Sequence, residues 1–194
     1  MTKRDKEMKR FFKRKRKRLR DKYDFHVDKD LEVAFERAKA FLYLSDEDIQ
    51  AHTPIATDAP EALTREIDSK LIYFKDKIRF DIGRYFLLAF GDDLLHFYTA
   101  IIDHRVGEIY NDAGLSIPYK RITSVQTSLL FRNIEKRNFH IYELKLSVEG
   151  MKDINLVLRN SIVDGKTADE NFELDQEVKD LLNGVVRFLR EKIV

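Results

Sequence analysis

An α+β fold is predicted for this chain: N-terminal helices, then a strongly bent antiparallel sheet or barrel, closed by a long C-terminal amphipathic helix. Three observations predict it. Apolar residues recur at three- and four-residue spacing between Leu31 and Leu42. From Ile78 they alternate every second residue, and from Leu174 to Ile193 they return to helical spacing.

The elements follow in order. Residues 3–22 hold 13 Lys/Arg against 3 Asp/Glu, a net of +10, and include the unbroken run Lys13-Arg14-Lys15-Arg16-Lys17-Arg18. Like charges at that density repel, so residues 1–22 are expected to be a flexible basic arm. Residues 23–75 read as a helical region. Asp28 or Asp30 is placed to cap a helix carrying Leu31, Ala34, Phe35, Ala38, Phe41 and Leu42 on one side. Ser45 with Asp48 has capping-box spacing for a short further helix. Residues 51–60, with Pro54 and Pro60, are expected to be a loop. Leu63, Ile67, Leu71 and Phe74 extend a second helical pattern from Glu61.

Residues 76–194 form the sheet and closing helix. Ile78, Phe80 and Ile82 alternate with Arg79 and Asp81. Tyr85–Phe90 and Leu94–Ile101 are aromatic-rich strands joined by Gly91-Asp92-Asp93, a hairpin turn. Val106–Tyr110, an interrupted Leu115–Leu130, Phe139–Val148 and Ile154–Leu158 complete the strands, with Gly150 turning the last pair. Thr167 and Glu170 have capping-box spacing before the final helix. Gly184 within it marks either a close approach to the sheet or a tolerated glycine.

The stretch Tyr85-Phe86-Leu87-Leu88-Ala89-Phe90-Gly91-Asp92-Asp93-Leu94-Leu95-His96-Phe97-Tyr98, followed by Ile117-Pro118-Tyr119-Lys120-Arg121-Ile122-Thr123-Ser124-Val125, resembles the opening hairpin and a later strand entry of the bacterial pleckstrin-homology-like (PH-like) domains. The resemblance spans residues 84–193 only. It implies a barrel-like scaffold with a C-terminal helical plug, in a superfamily that binds phosphoinositides, peptides or other proteins. Lipid-binding members use a basic loop between the first two strands. Here that loop, Gly91-Asp92-Asp93, is short and acidic, so the resemblance carries the scaffold and not that ligand.

Composition narrows function. The net charge of +2 hides an arm of +10 on a remainder of 23 basic and 31 acidic residues, a net of −8. That asymmetry is the pattern of an interaction tail. Lys9, Arg10, Lys13, Arg14, Lys15, Arg16, Lys17, Arg18 and Arg20 are the candidates for contact with an anionic surface, and Phe11 and Phe12 for membrane insertion. An anionic leaflet attracts such cations at about 1 kcal/mol each. Nucleic-acid phosphates would recruit the same cations, and so would the acidic body of the chain itself. A protein partner is the further option.

Without cysteine the chain has no disulfide and no thiolate site. No apolar run reaches the ~20 residues of a membrane-spanning helix, and no secretory leader is visible, so a cytoplasmic location is expected, with the inner face of the membrane as its extension. No cofactor motif, catalytic triad or metal set is found. Glu143-x-Lys145 has the spacing of a metal-dependent nuclease pair, with Asp112 or Glu135 as upstream acid, but an alternating exposed strand produces it as readily. His26, His52, His96, His104 and His140 share no ligand spacing. Asp92 and Asp93 read as turn formers, and Phe86, Phe90, Phe97 and Tyr98 as core rather than base-stacking rings. The expectation is a non-enzymatic binding or adaptor module whose oligomeric state is not legible.

Overall fold

A computed structural model describes residues 2–14, 17–51, 53–61, 69–74, 77–134, 137–163 and 176–193. It is an α+β structure with antiparallel sheets. Three helices come first, α1 Lys3–Arg14, α2 Lys17–Leu42 and α3 Asp46–Ala51. Strands β1 Ile55–Pro60, β2 Leu71–Phe74, β3 Lys77–Phe80, β4 Ile82–Phe90, β5 Leu94–Asp103 and β6 Glu108–Pro118 follow. A 3-10 turn at Tyr119–Arg121 leads into β7 Ile122–Ile134, β8 Arg137–Val148 and β9 Ile154–Val163, and α4 Gln176–Ile193 ends the chain. Among the described residues the strands make three open sheets, ordered β1-β4-β5-β6, β2-β3 and β7-β8-β9, and none closes into a barrel.

The chain divides into two compact units. The first holds residues 1–91 and 96–116, the second 92–95 and 117–194. Helices α1–α3 therefore share a unit with β1–β4 and with most of β5 and β6, while α4 belongs to the second.

In the first unit, α2 lays the stripe read from the sequence on β4 and β5: Ala34, Ala38 and Leu42 pack with Tyr85, Leu87, Tyr98, Ala100 and Ile102. Phe86, Leu88 and Phe90 point to the opposite face of β4 and are buried too, which explains the unbroken apolar run there. α2 ends in a Schellman motif, with Leu44 N–H donating to Lys39 O at 2.9 Å and Tyr43, at φ 56°, in the position glycine usually takes. α3 starts with the capping box seen in the sequence: Ser45 N–H donates to Asp48 Oδ2 at 2.8 Å, and Asp48 N–H to Ser45 Oγ at 3.2 Å.

Four expectations change here. Residues 3–14, expected to be flexible, are helical. Asp28 and Asp30 lie inside α2 rather than at its start. Ile55–Pro60 of the expected loop is a strand, paired from Ile55↔Leu88 to Pro60↔Gly83. A terminal Pro is compatible with an edge strand because its missing N–H faces no partner. Leu71–Phe74 is a strand paired with β3 from Leu71↔Phe80 to Phe74↔Lys77, since four successive apolar or aromatic residues suit a pleated surface as well as a helix. Residues 62–68, which carry the rest of that helical pattern, lie outside the described residues, as do Thr167 and Glu170.

In the second unit, β7 pairs with β8 from Ile122↔Val148 to Ile134↔Arg137, and β8 with β9 from Asn138↔Val163 to Leu146↔Ile154. α4 buries Leu182, Val185 and Leu189, while Tyr119 meets Phe188 edge-on with ring centroids 6.1 Å apart. Among the described residues nothing lies within 4 Å of a Cβ built on Gly184, so none of them requires that glycine by a close approach.

Candidate anion-binding face

The basic segment owes its order to a few inward residues. Thr2 opens α1, its Oγ1 accepting from Asp5 N–H at 3.1 Å. Met8 and Phe11 are each 1% exposed and pack with Tyr23 of α2 and Ile72 of β2. Phe11 stacks on Tyr23 with centroids 4.7 Å apart. Tyr23 donates to Phe80 O at 2.7 Å and accepts from Phe80 N–H at 2.9 Å, fixing this corner to β3. Glu7 faces α2, paired with Lys22 and 3.2 Å from His26 Nε2. Lys22 first, then His26, holds its carboxyl below the usual carboxylate range.

Arg4 makes the deepest contact. It donates to His104 O through Nε at 2.9 Å and Nη2 at 2.8 Å, and pairs with Asp30 of α2. The fully buried ring of His104 lies between two carboxylates, Nδ1 2.7 Å from Asp30 Oδ2 and Nε2 3.2 Å from Asp58 Oδ2. Burial opposes a charged ring, but the hydrogen bonds to Asp30 and Asp58 outweigh it and raise the imidazolium pKa to about 9. Asp30 is lowered in turn, because His104 and Arg4 overcome its own burial. Two cations thus balance two anions where α1, α2, β1 and the turn after β5 meet. With both nitrogens donating, the ring has no lone pair for a metal or a substrate proton. Gly107, at φ 79°, leaves room for this arrangement: a Cβ there would sit 2.5 Å from Arg4 Nη1.

Once α1 is docked, its remaining residues face outward. Lys3, Lys6, Lys9, Arg10, Lys13 and Arg14 are all exposed. At 100° per residue they cover an arc of about 140° along a helix about 18 Å long. Asp5 and Glu7 flank that arc and neither lies within it. Of the six, Lys9 reaches back to Asp5 Oδ2 at 3.0 Å.

Of the predicted contact residues, Lys9, Arg10, Lys13 and Arg14 fall on this face. Arg20 is half-buried and bonded to Asp21 at 2.8 Å. Lys17 and Arg18 are the first residues of α2, and Lys15 and Arg16 lie outside the described residues. Phe11 and Phe12 change role. Phe11 is a core residue and Phe12 a half-buried one packed edge-on to Tyr23 at 5.8 Å. Inserting either into a bilayer would require α1 to leave α2. Lys3 and Lys6 were not singled out from the sequence. The spacing of Asp5, Met8, Phe11 and Phe12 was the signal for them, since it assigns one side of a helix to the interior and the lysines to the other.

The remaining candidates resolve into local pairings. Lys145 Nζ lies 2.6 Å from Asp153 Oδ2, Asp112 pairs with Arg37 at 2.5 Å within the first unit, and Glu135 is outside the described residues. The backbone carbonyls of this turn are engaged, Asp92 O accepting from Lys192 Nζ at 2.9 Å and Asp93 O from Tyr119 N–H at 3.2 Å. His96 Nδ1 is 2.8 Å from Ser116 Oγ, and burial lowers the His96 pKa. His52 is outside the described residues. Phe86, Phe90, Phe97 and Tyr98 are all buried. Among the described residues no group of three acids or histidines is disposed to hold a metal ion. An open groove of about 480 Å³ beside α4 is lined by Asn183, Val186, Arg187, Arg190 and Glu191, with Arg187 tied to Glu191 at 2.9 Å.

Comparison with known proteins returned no matching family model, no matching curated protein and no matching solved structure.

Proposed function

We infer that this protein is a non-enzymatic binding module that adsorbs to an anionic membrane surface through the outer face of α1. The observation that carries the reading is the six-cation arc with both acids of the helix at its margins. A planar leaflet can meet all six cations at once, whereas a convex nucleic-acid duplex meets fewer from a helix packed lengthwise on its neighbour. With the phenylalanines turned inward, attraction comes from charge alone. It therefore fades within a Debye length, ~8 Å at physiological salt, and vanishes at high salt. The leaflet this chemistry suits is the phosphatidylserine-containing cytoplasmic one. The PH-like scaffold belongs to the same reading. What supports it is the succession of antiparallel strands through residue 163, followed by a helix that packs on β7.

Co-sedimentation with phosphatidylserine-containing vesicles, against pure phosphatidylcholine vesicles, tests the proposal. Lys6→Glu, Arg10→Glu and Lys13→Glu change exposed groups only. Each is expected to weaken binding at least about fivefold, from roughly 1 kcal/mol per lost cation. Equal binding by the triple variant would sink the reading. Failure to bind vesicles together with salt-sensitive retardation of duplex DNA would move the same face to nucleic acid.

A further inference from the structure

The four-stranded and three-stranded sheets leave four edge strands, and three of them carry protection. β1 is six residues long, ends in Pro60 and turns Asp58 inward to His104. β6 is broken by Asn111 at φ 56° and ends in Pro118. Phe41 of α2 covers its Gly114, where a Cβ would meet the ring at 2.5 Å, and Arg37 holds its Asp112. β9 buries Leu156, Val157 and Leu158 in succession, so both of its faces are covered there.

β7 carries none of these devices. It runs 13 residues, Ile122–Ile134, without proline or glycine, and its one register irregularity lies at the start, between Ile122 and Ser124. Arg132 is its single charged residue in a chain that is 36% charged. Among the described residues it pairs with β8 alone. Gln126, Thr127 and Ser128 are exposed in succession, as are Phe131, Arg132 and Asn133. Consecutive strand residues point to opposite faces, so among the described residues both faces as well as the outer edge are open along these stretches. Phe131 is 51% exposed. Long, open edges with so little charge are templates for pairing.

We propose that β7 is a dimerisation edge and that its occupant is β7 of a second copy, antiparallel and centred on Ser128. This register places Val125 of each copy opposite Phe131 of the other. Such cross-strand pairs of aromatic and β-branched residues stabilise a sheet. It sets Arg132 against Ser124, so no like charges meet. A twofold axis through Ser128 makes the interface isologous and closed, which limits assembly to two chains.

The full-length chain supplies the test. Sedimentation velocity over rising concentration is expected to show a monomer–dimer equilibrium. Ser128→Lys faces two ammonium groups across the axis and is expected to raise the dissociation constant about tenfold or more, with an unchanged circular dichroism spectrum because Ser128 is exposed. Because the chain has no cysteine, Ser128→Cys is a single-site probe. It is expected to give a disulfide-linked dimer on oxidation, while exposed Asn155→Cys on β9 stays monomeric. A wild type monomeric at every concentration, or an undiminished Ser128→Lys dimer, would overturn the proposal.

Discussion

A histidine bonded at both nitrogens to carboxylates has to carry two protons, and His104 is the residue on which α1, α2 and β1 converge. Its folded pKa of about 9 lies above the ordinary imidazole value of 6.5. A raised folded pKa contributes stability fully below the unfolded value and loses it as pH rises through the folded one. The contribution is therefore complete below about pH 6.5 and declines from there through pH 9. The shift corresponds to on the order of 3 kcal/mol. Urea unfolding of the wild type at pH 6 and pH 9.5 is expected to show this fall. His104→Gln, which cannot supply a buried positive charge, is expected to cost about 3–5 kcal/mol at pH 6 and to flatten the decline over this pH window. A wild-type stability that stays level across the window would refute the imidazolium assignment. None of this was legible in the sequence, because Asp30 and Asp58 lie 74 and 46 residues from His104 and no local spacing joins them.

The elements divide by whether their signal is local. The apolar stripe of α2, the capping box at Ser45, the hairpin at Gly91-Asp92-Asp93 and the β8–β9 pair were legible, because period and turn chemistry act over a few residues. β1 and β2 were not. Their pairing with β4 and β3 is a tertiary contact, and proline or a three-to-four spacing outweighed it in the linear reading. α1 was misread because six adjacent cations mask the short run Asp5, Met8, Phe11, Phe12 that docks it. Gly184 shows the remedy for an ambiguous signal. Among the described residues nothing beyond its own helix comes within 4 Å of a Cβ there, so the effect expected of that glycine is on conformational freedom. Gly184→Ala is expected to stabilise the protein by about 0.5–1 kcal/mol with unchanged vesicle binding, measured by chemical denaturation. Destabilisation would mean that a neighbour comes closer to α4 than the structure places it.

For the molecule as a whole, the contrast of a +10 segment with a −8 remainder becomes a division of labour within α1. Its inward charges pair within the first unit, Arg4 with Asp30 and Glu7 with Lys22, while Lys3, Lys6, Arg10, Lys13 and Arg14 are exposed and Lys9, also exposed, reaches back to Asp5. This changes which experiment isolates the cations. Deleting a flexible tail would leave the body intact. Deleting residues 1–14 here uncovers Tyr23 and Ile72, removes buried Met8 and Phe11, and leaves Asp30 with one cation instead of two. Phe→Ala in a core costs about 3–5 kcal/mol by itself, and losing half of a buried charge balance adds to that. The truncated chain is thus expected to unfold at a temperature several degrees or more below the full chain, and any lost vesicle binding would be confounded with lost structure. The triple Glu variant, altered only at exposed positions, is expected to keep the full-chain melting temperature within a degree or two. A truncation that melts with the full chain would show that α1 does not dock in solution, and the cationic arc would then have no fixed geometry to present.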